Sequence, residues 1–366
     1  GDPLRFISSD NEEAECERVV NEIIDMRLKR RCKYSDFAVL YRGNYQAKMV
    51  EIKLQAQNIP YEITGGQSFY AKTEIKDIMA YLRLIINPDD DNALLRIVNT
   101  PRRQIGPTTL EKLGEYANKR HLSLFAAIDE VGLTATMPAN SLERLKRFKH
   151  WVENVNRNVY SGNPISAINE MLDDADYQGW LHQNASSDHV AQKRWDNVQF
   201  LLAQLSQVLK NDDSDSDGEN GDSKIENAIA KLVLRDLLDR EEEESADDKV
   251  QLLTLHAAKG LEFLHVFLIG MEEDILPHRN SVEGGQIEEE RRLAYVGITR
   301  AQRTLTMTCA RQRTQFGETS ATTPSRFIDE LPEDDLIRIG GGETLSAEEN
   351  QAKGEESLAA LKSLFG

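Results

Sequence analysis

The chain has 366 residues and a formal net charge of −18, from 44 Lys and Arg against 62 Asp and Glu. That length holds two domains with cores of their own, and that charge excludes a polyanion binder acting through overall basicity. Its three cysteines lack CxxC spacing, no signal peptide is visible, and no apolar run nears the roughly 20 residues of a bilayer span, so a reduced, cytoplasmic protein without membrane contact is expected.

In chain order, Leu4–Ser8 reads as a short strand. Asp10 and Glu13 make a capping-box pattern before a helix through Lys29, whose Val19, Val20, Ile23 and Ile24 form an apolar face. Asp36–Tyr41 is the next strand, Gln46–Gln57 a helix ending before Ile59-Pro60, and Tyr61–Thr64 a strand. Glu74–Ile86 is amphipathic until Asn87-Pro88 stops it. From Val98 to Asp247 only helical patterns occur: Thr109–Lys119, Ser141–Tyr160, Ile165–Leu172, His189–Leu209 and Ile225–Arg240. Trp151, Trp180 and Trp195 lie among apolar neighbours there and read as core. The acidic runs Asn211–Asp222 and Glu241–Asp248 read as solvated linkers, which leaves room for a basic face elsewhere. At Val250 alternation resumes, with strands Val250–Thr254 and His265–Ile269, a helix Glu288–Ala301 and a strand Thr304–Cys309.

The expected architecture is therefore α/β, a parallel-sheet domain interrupted by an inserted all-helical domain. Its first part is residues 1–97, the insertion 98–248, the second part 249–336, and a flexible tail 337–366. The tail follows a glycine run and carries Leu358, Leu361 and Leu364 at three-residue spacing, which suits folding on a partner.

Strand–loop–strand–helix–strand from Val250 onward, with charges at element ends, is how an α/β domain builds a ligand site. Arg42 directly follows a buried strand and Arg300 ends a helix, so either guanidinium can be aimed rigidly at charge developing in phosphoryl transfer. The plainer alternatives are a surface carboxylate for Arg42 and the helix C-terminus for Arg300. Between the two strands lie Lys259, Gly260 and Glu262; Lys259 is a phosphate contact or a solvated loop lysine. In Pro101–Thr109, Ile105-Gly106 precedes a helix start at Thr108 and Thr109, and Arg102 and Arg103 sit beside it. Exposed N–H groups and the helix dipole there suit a phosphate, with a plain helix cap as the alternative. No GxxxxGK[ST] occurs, and Asp129-Glu130 lacks the apolar strand that a Mg²⁺-carboxylate motif requires.

TLHAAKGLEF at Thr254–Phe263, EERRLAYVGITRA at Glu289–Ala301 and FAVLYRGN at Phe37–Asn44 closely resemble motifs V, VI and IV of superfamily 1 DNA helicases of the UvrD/PcrA/Rep group, in the family's order. NTPRRQIGPTTLEKLGEYA at Asn99–Ala117 and PSRFIDELPEDDL at Pro324–Leu336 are most similar to its Rep branch, and the resemblance covers nearly the whole chain. It implies a RecA-like domain (2A) interrupted by a helical domain (2B), in the C-terminal portion of an ATP-dependent 3′→5′ DNA helicase acting in replication. The N-terminal helicase domains, with the phosphate loop and the Mg²⁺ ligands, are then a separate half of a composite ATP site.

The resemblance further implies Arg42 and Arg300 on the γ-phosphate, Tyr41 stacking on adenine, and Glu262 beside Gly260 at the ribose. It implies Thr254 and His256 on single-stranded DNA and the Arg102–Thr109 stretch on duplex at a junction. A salt bridge or N-cap is the alternative for Glu262, and a half-buried strand tyrosine for Tyr41. The chain departs from the family at Gln104, where relatives often read Gly. Alternatives for the whole are a UvrD/PcrA-type repair helicase and a non-catalytic DNA- or partner-binding module. A replisome protein is the partner expected for the tail.

Overall fold

A computed structural model describes residues 2–215, 224–233, 248–315 and 318–340. It divides into two compact units, Gly1–Gly66 with Asp247–Gly366, and Gln67–Ala246.

The first unit contains β1 (Leu4–Asn11), α1 (Glu12–Arg30), β2 (Phe37–Tyr41), α2 (Ala47–Ala56) and β3 (Tyr61–Thr64). Asn11, not Asp10, caps α1, its side chain accepting from the Ala14 N–H at 2.8 Å. The helical unit follows with α3 (Thr73–Ile86), α4 (Asp91–Ile97), α5 (Pro107–Arg120), α6 (Leu124–Ala127), α7 (Ala139–Ser161), α8 (Pro164–Asp174), α9 (Tyr177–Asn184), α10 (Asp188–Asp215) and α11 (residues 224–233). The sheet unit resumes with β4 (Val250–Thr254), β5 (Phe263–Leu268), α12 (Arg279–Glu283), α13 (Ile287–Ile298), β6 (Ala301–Gln315), β7 (Glu318–Ala321) and β8 (Leu336–Ile339).

The strand order is β3-β4-β2-β5-β6-β1-β8, all parallel, with β7 antiparallel on β6. Central β2 shows why its sequence is apolar throughout: every residue is buried, and alternate side chains face opposite layers. Phe37, Val39 and Tyr41 join Val19, Ile23, Val50 and Leu54 under α1 and α2. Ala38 and Leu40 join Leu253, Val266, Met307 and Ala294 on the α13 side. Gly297 lets α13 approach that closely, since a Cβ there would lie 2.5 Å from a methyl of Leu255. The expected α/β sheet with helices on both faces is present.

Three expectations change. The units divide at Gly66/Gln67 rather than at Val98. Helix α3 buries Ile75, Ile78, Met79, Tyr81, Leu82 and Ile85, nearly all round its surface, and it packs on α4, α7 and α10. Periodicity reveals an apolar face but not which unit covers it. Second, the tail does not begin at 337, because Leu336–Ile339 is an edge strand paired with Leu4–Ile7 of β1. Residues 341–366, with the leucine spacing and the partner expectation, lie outside the described residues. Third, α10 continues through Asp215, into the first acidic run.

A charged cluster lies buried beside β6. Arg313 donates to Glu15 at 2.6 Å and to both oxygens of Glu272 at 2.7 and 2.8 Å. The two carboxylates are fully buried, and each accepts further bonds: Gly270 N–H and Thr308 Oγ1 to Glu15, and Ala310 N–H to Glu272.

Candidate functional site

At the C-terminal end of β2 the chain turns out of the sheet through Arg42 and Gly43. Buried Gln46 holds the turn, its Oε1 accepting from the Arg42 and Gly43 N–H groups at 3.1 and 3.0 Å. The Arg42 guanidinium forks onto Glu290 at 3.0 and 2.9 Å. Glu290 lies in the first turn of α13, where the sequence suggests only an acid complementing the helix dipole. It is buried, which pushes its pKa up, but donation from Arg42, the His278 N–H and the Ser281 hydroxyl outweighs burial and holds the carboxyl below the usual range. Arg42 thus has a carboxylate partner, but a buried one rather than the surface carboxylate of the plainer alternative.

Tyr41 is a correction. Its side chain is wholly buried in the layer under α1 and α2, so neither face of the ring is free for adenine. Its neighbours Phe37 and Val39 alternate with it toward the same layer, and strand alternation leaves a buried central strand no solvent-facing position. The Tyr41 hydroxyl has no hydrogen-bond partner among the described residues. An orphaned buried hydroxyl costs about 1–3 kcal/mol, so Tyr41→Phe is expected to leave stability unchanged or raise it. Urea unfolding of the two proteins checks this, and a loss above about 1 kcal/mol would show that the hydroxyl has a partner.

The β4–β5 connection carries the other expected residues. Thr254 ends β4, and its Oγ1 accepts from the Ala257 N–H at 3.2 Å, closing the turn. His256, Lys259 and Glu262 are exposed. Gly260 sits at φ +87°, a conformation that favours glycine. Glu262 accepts from Gln302 Nε2 at 3.0 Å and makes neither an ion pair nor a helix cap among the described residues.

Arg300 follows α13 and directly precedes β6, so it sits between two rigid elements. Its Nε donates to the Val296 carbonyl at 3.0 Å, one terminal nitrogen to the Leu261 carbonyl at 2.7 Å, and the other to Thr299 Oγ1 at 3.1 Å. The helix-terminus alternative is thus realised through Val296. All three acceptors are neutral, and among the described residues no carboxylate pairs with it. Its charge is uncompensated.

The two arginines are not brought together. Arg300 stands at the start of β6, whose first residue pairs with Phe263, the first residue of β5. Arg42 stands beyond the far end of β2, level with Thr254. Phe263 and Leu268 span β5, so the two edges are about 15 Å apart at 3.3 Å per residue. Arg300, Leu261, Glu262 and Gln302 form one edge; Arg42, Glu290, Thr254 and His256 belong to the other. Among the described residues no three His, Cys, Asp or Glu side chains converge to hold a metal ion.

In the helical unit the Arg102–Thr109 stretch separates into two roles. Arg103 turns inward, donating to the Ile97 carbonyl at 2.8 Å and the Tyr81 hydroxyl at 2.9 Å, with its guanidinium carbon 4.9 Å from the Trp151 ring centroid. Its assignment to DNA is therefore corrected. Asn99 Oδ1 accepts from the Arg103 and Ile105 N–H groups, both at 3.2 Å, and Arg144 donates to the Gln104 carbonyl at 2.9 Å. These bonds hold Gln104 at φ +60°, where glycine is the easier residue, and so explain the family's glycine. Arg102, Gly106 and Thr108 remain exposed, with Gly106 as the N-cap of α5 and Thr109 in its first turn.

Arg102→Ala is expected to weaken binding to a single-strand/duplex junction and lower the salt slope by about one, the contribution of one phosphate contact. Arg103→Ala should instead destabilise the helical unit by about 1–3 kcal/mol, because the Ile97 carbonyl and the Tyr81 hydroxyl lose a donor. Salt titrations of junction affinity beside thermal melts separate the two. Equal slopes in Arg102→Ala and the parent protein would return Arg102 to solvent.

A RecA-like parallel sheet with helices on both faces, interrupted by a helical unit and carrying an uncompensated arginine at a strand edge, defines a helicase-type α/β domain. The model of the UvrD-like helicase C-terminal domain matches residues 1–312, and the chain belongs to that family. It is 45% identical over 365 residues to the ATP-dependent DNA helicase Rep of Escherichia coli K12, covering 100% of this chain and 53% of that protein. The Rep helicase of Salmonella typhimurium is 44% identical over the same shares. The ATP-dependent DNA helicase PcrA of Bacillus subtilis is 41% identical over 341 residues, 93% of this chain and 45% of that protein. The chain spans about half the length of the curated relatives it matches. No described helix is long and apolar enough to cross a membrane.

Proposed function

We propose that this chain is the C-terminal half of a Rep-type, ATP-driven 3′→5′ DNA translocase and helicase that acts in replication. Arg300 is the observation that carries the reading: a guanidinium fixed by two carbonyls and a hydroxyl, with its positive charge free for an incoming anion. Phosphoryl transfer spreads negative charge over the equatorial oxygens, and a preorganised cation there lowers the barrier without reorganisation.

Glu262, beside Gly260 on the same edge, has an oxygen left to accept from a ribose hydroxyl. Lys259 in the same connection offers a mobile point charge to phosphate. N-terminal helicase domains would supply the phosphate loop and the carboxylates that hold Mg²⁺, and the metal would supply charge neutralisation at the phosphates. Alone, this half is expected to turn over no ATP. On the other edge Thr254 and His256 contact the backbone of single-stranded DNA, while Arg102, Gly106, Thr108 and Thr109 contact duplex. DNA-stimulated ATP hydrolysis by the intact protein carrying Arg300→Ala tests the reading, and near-parental turnover overturns it.

A further inference from the structure

We propose that Gln302 is a positioning residue for nucleotide recognition, fixing the Glu262 carboxylate so that one of its oxygens meets a ribose hydroxyl. The inference rests on reading Glu262 as the ribose acceptor. Gln302 Nε2 donates to Glu262 Oε2 at 3.0 Å, and Glu262 Oε1 accepts no bond among the described residues. Both side chains are exposed, so the remaining oxygen is open to a ligand.

Strand register brings the two residues together. Phe263, the first residue of β5, pairs with Ala301, the first of β6, in a parallel ladder. Glu262 lies one position before that pair and Gln302 one position after it. Alternation therefore puts both on the face opposite Phe263 and Ala301, which pack against the core on the α13 side. The Glu262 backbone is clamped from both sides by a single residue. An Arg300 terminal nitrogen donates to the Leu261 carbonyl at 2.7 Å, and the Phe263 N–H donates to the Arg300 carbonyl at 2.9 Å. The Leu261 N–H closes the connection onto the Ala258 carbonyl at 3.1 Å. Only the side-chain torsions of Glu262 are then left to order, and ordering a long side chain on binding weakens affinity. The bond from Gln302 settles those torsions before a nucleotide arrives. Space for a sugar is present beside the pair, since a Cβ on Gly260 would meet no atom within 4 Å. A carboxylate oxygen only accepts, and neither side chain carries a cation for phosphate, so the fitting group on a nucleotide is a hydroxyl donor.

The test measures KM for ATP and for 2′,3′-dideoxy-ATP in DNA-stimulated hydrolysis by the intact protein. The two nucleotides share base and phosphates, and the parent should show the higher KM for the dideoxy compound. Gln302→Met keeps the stem and loses the donor. It should raise KM for ATP roughly 2- to 10-fold, the range of one net hydrogen bond, and leave KM for the dideoxy compound where it was. Gln302→Lys, which can donate to Glu262 again, should restore the preference for ATP. A Gln302→Met change equal on both nucleotides overturns the proposal, because it marks a fastening of β6 to the preceding connection. So does a Gln302→Met protein with unchanged KM for ATP. Glu262→Ala separates this failure from that of the underlying reading. Loss of the ATP preference in Glu262→Ala beside a parental preference in Gln302→Met keeps the ribose contact and sinks the positioning role. No preference in the parent, or a full one in Glu262→Ala, sinks the ribose contact and the positioning role with it.

Discussion

Arg300→Ala in the intact protein should cut DNA-stimulated ATP turnover by about 10³- to 10⁵-fold, the range of arginine-finger contributions. That range corresponds to roughly 4–7 kcal/mol of barrier. Nucleotide affinity should change little, because charge on the equatorial oxygens that the guanidinium meets grows only in the transition state. Lysine is a poor substitute at this position on geometric grounds: a single ammonium cannot hold the Leu261 and Val296 carbonyls and also present a charge. Arg300→Lys should therefore recover little of the rate. Melting curves of the variants control for the alternative that the residue only fastens the end of α13 to the β4–β5 connection. A parental melt with a collapsed kcat supports the transition-state role; a lowered melt with parental kcat overturns it. Arg42→Ala has a different signature. It strands the buried Glu290 carboxylate without its forked partner, so stability falls as well as any rate, and most at neutral pH. Because Glu290 is held below its ordinary range, the stability it contributes is present above the unfolded carboxyl pKa and is lost as pH falls through the folded one.

The sheet is legible in the sequence because its strands are buried on both faces. Runs such as Phe37–Tyr41 and Val250–Thr254 are dominated by apolar and β-branched residues, and helices with one apolar stripe must lie over them. The edge strand Leu336–Ile339 is not legible, because only one neighbour covers it and its residues are partly exposed, so its pattern resembles a loop. Helix α3 is visible, but its owner is not: burial all round shows itself only when the packing partners are known. At the site, the motifs locate Arg42, Arg300 and Glu262 by chain position. Position along the chain says nothing about which strand end a residue occupies, so the separation of the two arginines cannot be read there. Nor can the partner of Arg42, since Glu290 is 248 positions away and looks like any first-turn acid. Tyr41 ends the β-branched and aromatic run that draws attention, and the period-2 rule that makes the strand recognisable also turns that tyrosine inward.

Arg313 gives the largest stability effect outside the catalytic edge. It stands between Glu15 and Glu272, which are both fully buried, so one cation faces two carboxylates, with Glu12 a third at 3.5 Å. Burial raises the pKa of Glu272 despite the hydrogen bonds and charge of Arg313, and burial raises that of Glu12 in the same way. The Arg313 guanidinium is itself held charged by the two glutamates against its own burial. Replacing it with Met, which has a similar stem and no charge, leaves two carboxylates in the protein interior with only neutral donors from Gly270, Ala310 and Thr308. Removing one partner of a buried pair costs about 3–5 kcal/mol, and Arg313→Met should lose that much at pH 7. The sign of the pH dependence follows from the direction of the shifts. A carboxyl whose folded pKa lies above its unfolded value binds its proton more tightly when folded, so its stabilising effect is complete below the unfolded pKa and disappears as pH rises through the folded one. Without Arg313 the folded value of Glu272 rises further, because the cation that favoured its ionisation is gone. The deficit of Arg313→Met should therefore shrink as pH falls from 7 toward the carboxyl range, where a neutral acid tolerates burial. Urea unfolding of both proteins at several pH values measures it directly. A deficit independent of pH would mean that Arg313 acts through packing alone, and no deficit at pH 7 would mean that water reaches the cluster and the carboxylates are not truly buried.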